Sequence, residues 1–154
     1  MKKIEVVNLH RVLTANDKFG KMGTSKVTLV MMLVKMGKVV EEYNNIQKEA
    51  LGKFKKDVEN WDDNIVKAQA YEEALKDESK KKDDTWTEEQ YKAFMDGDYK
   101  KVIEPLEQAM KEEGDKEADI DYKKFDEIGF SEWIEANNID AMVAAGLAQY
   151  ILEM

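Results

Sequence analysis

His10 is the only histidine in a chain of 154 residues that carries 33 Asp and Glu, 24 Lys and Arg, and no Cys. Those counts bound the chemistry available. Without Cys there is no thiol nucleophile, disulfide framework, thiolate zinc site or iron–sulfur ligation. A single His excludes the HExxH zinc site, and no sequence motif supplies the nucleophile and orienting acid that a catalytic imidazole needs. His10 therefore reads as a surface or structurally satisfied histidine. The abundant carboxylates could serve oxygen-rich cation sites or paired acid/base hydrolysis, but nothing in their spacing selects one pair.

Three short segments come nearest to a binding motif. Glu113 to Lys124 has the length of an EF-hand loop, with Asp115 and Glu117 at the third and fifth positions and Ile120 at the eighth. Ala118 then stands where the sharp turn requires Gly, and Lys124 puts a cation where a bidentate Glu should close the cage. Phe19 to Lys26 sets Gly20, Gly23, Lys21, Thr24 and Ser25 just ahead of a helical stretch, where free N–H groups could hold a phosphate. Its glycine spacing is not that of a Walker loop, and it reads as a loop followed by a cap. Lys53, Lys55 and Lys56 form a basic knot beside Phe54 that is too small for a nucleic-acid face. Asp96-Gly97-Asp98 reads as a helix interruption.

The elements that would position such groups are mostly helical. From Leu29 through Met32, Met36, Val39 or Val40, Tyr43, Ile46, Ala50, Phe54, Val58, Trp61, Ile65, Ala68 and Tyr71 to Leu75, apolar residues return every three or four positions. That spacing predicts helix along residues 25–78, as one long element or as a hairpin that bends or reverses near Gly52 or Asn60. Met32, Met36, Tyr43, Phe54 and Trp61 are the expected partner-facing residues of this coiled-coil-like stripe, Met being an adaptable contact residue. Residues 79–86 read as a solvated Lys/Asp linker. Thr87 with Gln90 has capping-box spacing and opens a second helical block, in which Pro105 demands a start near Lys101 or a kink. Gly114 is expected to end that block.

Alternation in Ile4–Val6 and Ala118–Tyr122 predicts two short strands that pair as a small two-stranded ribbon near the termini. Phe125, Ile128, Phe130, Trp133 and Ile134 form an aromatic junction, and Asp140 to Leu152 a closing helix. The expected fold is thus mainly α, a single domain over 1–154 with its C-terminal α/β part at 87–154. Lys35, Gly37 and Lys38 interrupt the most apolar window, Val27 to Val40, which is shorter than the roughly 20 residues a spanning helix needs. The N-terminus lacks the apolar run of a signal peptide, and a cytoplasmic location is expected.

Charge is polarised along the chain. Met1 to Lys56 holds 12 Lys and Arg against 5 Asp and Glu, whereas Asp57 to Met154 holds 12 against 28, so +7 and −16 make up the net −9. Such halves can neutralise each other on folding, pair between copies, or meet a basic partner.

The order of elements is similar to that of small uncharacterised phage and prophage proteins: a short strand with an Asn-Leu phrase at Ile4 to Leu9, a long Lys/Glu-rich helical region, an acidic strand at Ile120 to Phe125, and a terminal helix ending Tyr150-Ile151-Leu152-Glu153. The resemblance implies a phage accessory or assembly factor. The leading expectation is accordingly a non-enzymatic helical interaction or assembly protein without cofactor or metal. Its partner is another protein or a second copy, not a membrane or nucleic acid. The alternatives are a small acidic inhibitor seated in a basic groove of a host protein, and a carboxylate-dependent hydrolase.

Overall fold

The computed structural model describes residues 1–15 and 26–154. The glycine–lysine loop at Phe19 to Lys26 and the expected caps Thr24 and Ser25 lie outside the described residues, apart from the backbone of Lys26. The described chain is mainly helical: α1 (Lys3–Thr14), α2 (Lys26–Lys55), α3 (Trp61–Lys76), α4 (Glu88–Phe94), α5 (Lys100–Asp115), α6 (Glu127–Asn137) and α7 (Ala141–Ile151). None of the described helices is long and apolar enough to cross a membrane.

The chain divides into two compact units, Met1–Asn45 with Glu113–Met154, and Ile46–Glu112. The boundaries fall inside α2 and α5 rather than at the Lys/Asp linker.

In the first unit, the N-terminal strand is replaced by helix. Val6, Leu9 and Leu13 recur at three- and four-residue spacing and all are buried, a pattern that outweighs the two-residue alternation of Ile4 and Val6. The helix is also started locally, because the Glu5 carboxylate reaches back to accept the Lys2 backbone N–H at 2.7 Å. With its intended partner helical, the segment at Ala118–Tyr122 has no ladder to join, and the expected ribbon is absent among the described residues. What remains is a single antiparallel bridge, Lys2 with Glu117, made by Lys3 N–H to the Lys116 carbonyl and Ala118 N–H to the Met1 carbonyl, both 2.9 Å. The alternation itself persists: Ala118, Ile120 and Tyr122 pack on the core while Asp119 and Asp121 face water. α5 runs one residue past Gly114, to Asp115, and Gly114 lies close against Ile4: an added Cβ would sit 3.1 Å from the Ile4 Cβ.

The core of this unit joins Val6, Leu9 and Leu13 of α1 to Leu29, Met32, Met36 and Val39 of α2, and to Phe125, Phe130, Trp133, Ala144, Leu147 and Ile151. Asp126 and Asp140 cap α6 and α7, accepting from Gly129 N at 2.7 Å and Met142 N at 2.8 Å. Asn138 ends α6 at φ 54°, a left-handed conformation that Asn tolerates.

In the second unit, the predicted long helix is two. It breaks after Lys55 and resumes at Trp61, with Asn60 at φ 57° and ψ 28°. The run Glu59-Asn60-Trp61-Asp62-Asp63-Asn64 supplies the weak helix formers and Asn the left-handed turn. Thr87 and Gln90 close the predicted capping box, with Gln90 N donating to Thr87 Oγ1 at 3.3 Å and Thr87 N to Gln90 Oε1 at 2.9 Å. The helix path is interrupted at Gly97 (φ −102°, ψ −105°), so α5 restarts at Lys100, close to the expected Lys101, with Pro105 inside it in the second turn. Phe94 is central to the core here, 5.7 Å from Trp61, 5.5 Å from Trp86 and 5.8 Å from Tyr99, ring to ring.

Candidate functional site

The first two turns of α2 are apolar on both sides. Leu29, Met32 and Met36 are fully buried in the first unit's core and Val39 is 6% exposed, whereas Val27, Val30, Met31 and Val34 are 73%, 40%, 49% and 50% exposed. At about 100° per residue the second set lies opposite the first, at positions i, i+3, i+4 and i+7 of its own stripe. A soluble helix normally carries polar residues on that side. Scattered apolar residues at a surface are ordinary, but a contiguous row on one helix face marks a contact region, and no described residue covers it. One turn on, the same face carries Lys38 and Glu41, one charge of each sign.

The partner-facing residues expected from sequence are placed elsewhere. Met32 and Met36 are core residues of the first unit and Trp61 is buried in the core of the second, with Phe54 partly buried against it and Tyr43 half-buried. Met32, Met36, Phe54 and Trp61 pack into the protein's own cores, and the open stripe is the neighbouring one that the three-to-four count passed over. Val27, Val30, Met31 and Val34 were legible as a second set with the same spacing inside the most apolar window. Their exposure was not.

His10 stands over the same helix beyond this stripe, its Nε2 3.8 Å from where a Cβ on Gly37 would be. Burial lowers its pKa below the ordinary 6.5, and no acid or nucleophile is bonded to its ring among the described residues. The basic N-terminus is neutralised within this unit by acids at the C-terminal end of α5 and just beyond it. The Met1 ammonium meets Glu117 at 2.8 Å, Lys2 meets Asp115 at 3.0 Å, and Lys3 meets Glu113 at 2.6 Å. Glu113, the one buried charged residue among those described, also pairs with Lys116 at 2.6 Å. The first position of the EF-hand-like segment is thus held by two ammonium groups. Among the described residues no group of three or more His, Cys, Asp or Glu could hold a metal ion.

This ion pair yields an expected result for stability. Side chains of Lys3 and Glu113 are only 12% and 8% exposed. Glu113→Ala leaves Lys3 with Glu42 alone, at 3.0 Å, and is expected to cost about 2–4 kcal/mol, at or below the usual range for a broken buried pair. Lys3→Met with Glu113→Leu should recover most of that, because no charge is then left buried. Lys116 and Lys3 hold the Glu113 carboxyl below its ordinary 4.5, and Glu113 and Glu42 hold the Lys3 ammonium above its ordinary 10.5. The carboxylate's contribution is therefore complete above about pH 4.5 and lost as pH falls through its lowered folded value. The ammonium's is complete below about pH 10.5 and lost as pH rises through its raised one. Urea denaturation across pH, wild type against the double variant, checks both limbs.

Fold and surface together define a mainly helical protein of two compact units with an apolar helix face open on one of them. The chain matches no protein-family model, no curated protein and no solved structure.

Proposed function

We propose that this chain is a non-enzymatic helical interaction protein that pairs with a second copy of itself through Val27, Val30, Met31 and Val34 of α2. The observation that carries this reading is the pair of opposed stripes: the same helix that seals the first unit's core offers a second apolar face with helix-pairing spacing. A second copy suits it for two reasons. The face is a row of apolar side chains along a helix, so two copies present matching surfaces about a two-fold axis. Lys38 and Glu41 leave that face without net charge, so like surfaces do not repel, whereas an anionic membrane or a nucleic acid would call for an excess of cations.

With two turns of apolar contact the pairing is weak and concentration-dependent. Sedimentation velocity from micromolar to millimolar protein should show a monomer–dimer equilibrium that persists at high salt. A monomer across that range overturns self-pairing. Dimerisation unaffected by charge at Val34 overturns this face as its seat. The phage accessory role remains part of the proposal through the long and terminal helices that the resemblance includes. Its two strands no longer support it.

A further inference from the structure

The second unit contains a pocket of about 410 Å³ lined by Tyr71, Ala74 and Leu75 of α3, Glu78, Lys81, Thr85, Trp86 and Thr87 of the connection, and Glu88 of α4. We propose that it is a recognition pocket for a cationic amino-acid side chain, arginine above all, presented by a basic peptide segment. This does not rest on the α2 face.

Three features combine in that pocket. The first is a pair of rings fixed from behind. Tyr71 stacks on Tyr91 with centroids 4.4 Å apart, and Tyr91 is itself anchored by donating its hydroxyl to Glu72. Trp86 is held at 61° against the core ring Phe94, centroids 5.5 Å apart. Rings held on one side offer their remaining surface to a cation at little cost in ordering.

The second is an apolar wall. Leu75 is 69% exposed yet lines the pocket, which suits the alkyl stem of a long charged side chain. The third is the acid rim. Glu88 is paired with Lys92 at 2.9 Å, but Glu78 makes no side-chain ion pair among the described residues and is free to accept a guanidinium. Arginine fits this combination better than lysine, since its planar head can lie on a ring while its N–H groups reach a carboxylate. Lys81 is the one cation lining the pocket, and it opposes the ligand. A protein with exposed arginines is the class of partner that the chain's acidic balance favours.

Titration of the full-length protein with the capped peptide acetyl-Gly-Arg-Gly-amide, followed by the indole N–H resonance that Trp86→Phe removes, tests the proposal at low salt. Saturable shifts are expected with the arginine peptide, and weaker ones with its lysine counterpart. The citrulline peptide, which keeps the shape and loses the charge, should give none. Glu78→Gln should weaken binding roughly two- to fivefold and Lys81→Ala should tighten it by a similar factor, the scale of one exposed cation contact. Equal binding of the citrulline peptide, tighter binding after Glu78→Gln, or no saturable shift with any of the peptides overturns it. Because Glu78 and Lys81 are exposed and the whole pocket lies in the second unit, failure here leaves self-pairing through α2 untouched, and the reverse.

Discussion

Val30→Glu combined with Val34→Glu is expected to yield a protein that stays monomeric at every concentration with its helical content unchanged. Both side chains are substantially exposed, at 40% and 50%, so the folded monomer accepts carboxylates there within the usual small range for surface changes. In a pair of α2 helices the same carboxylates would be buried opposite apolar groups or one another, which costs several kcal/mol. A weakening of the dimer by at least about 100-fold, about 2.8 kcal/mol, follows. Met32→Glu supplies the contrast from half a turn away. Met32 is fully buried, and a charge there should unfold the first unit rather than dissociate two copies. Sedimentation velocity and far-UV circular dichroism on the three proteins separate the outcomes.

Trp133→Ala is expected to cost about 3–5 kcal/mol, the range for removing a large aromatic side chain from a packed core. Trp133 has no exposed surface. Its ring stacks on Phe125 at 5.7 Å and 26° and lies 6.0 Å from Phe130, so its loss leaves a cavity bounded by two rings that are themselves held by α6 and the segment before it. Rigid walls collapse poorly, which puts the cost toward the upper end. Thermal melting should fall by roughly 10 °C, on the usual scale for a chain of this length, while Trp133→Phe retains the stack and loses a fraction of that. A melt by near-UV circular dichroism, which reports ordered aromatic side chains, makes the comparison.

Where sequence and structure agree, the controlling physics is local. The capping box at Thr87 and Gln90, the break at Asn60, the interruption at Gly97, and the start of α7 at Asp140 depend on a few neighbouring residues, and their types announce them. The N-terminal strand failed on a contest between two periods in one short segment. Val6, Leu9 and Leu13 carry a helical count in the same residues whose alternation at Ile4 and Val6 predicts a strand. The acidic segment was half legible: alternation told correctly which of its residues face the core, while a β-ladder needs a second strand, which the sequence could not guarantee. For Glu113 only the Lys116 partner, three residues on, is local; the Lys3 that pairs with it in the interior is 110 residues away.

The pocket between α3 and α4 was legible only as a Lys/Asp linker beside aromatic residues. Its ring pair and acid rim converge because a connection closes on α3, and loop closure is a matter of three dimensions.

By itself the sequence determined that this protein is helical, that its charge is unevenly spread, and that the start of α2 is apolar on more than one side, because period and composition are properties of the chain. Only the tertiary structure decided which side α1, α6 and α7 would cover. Burial is settled by what packs against a face, and Leu29, Met32 and Met36 found partners that Val27, Val30, Met31 and Val34 did not find among the described residues.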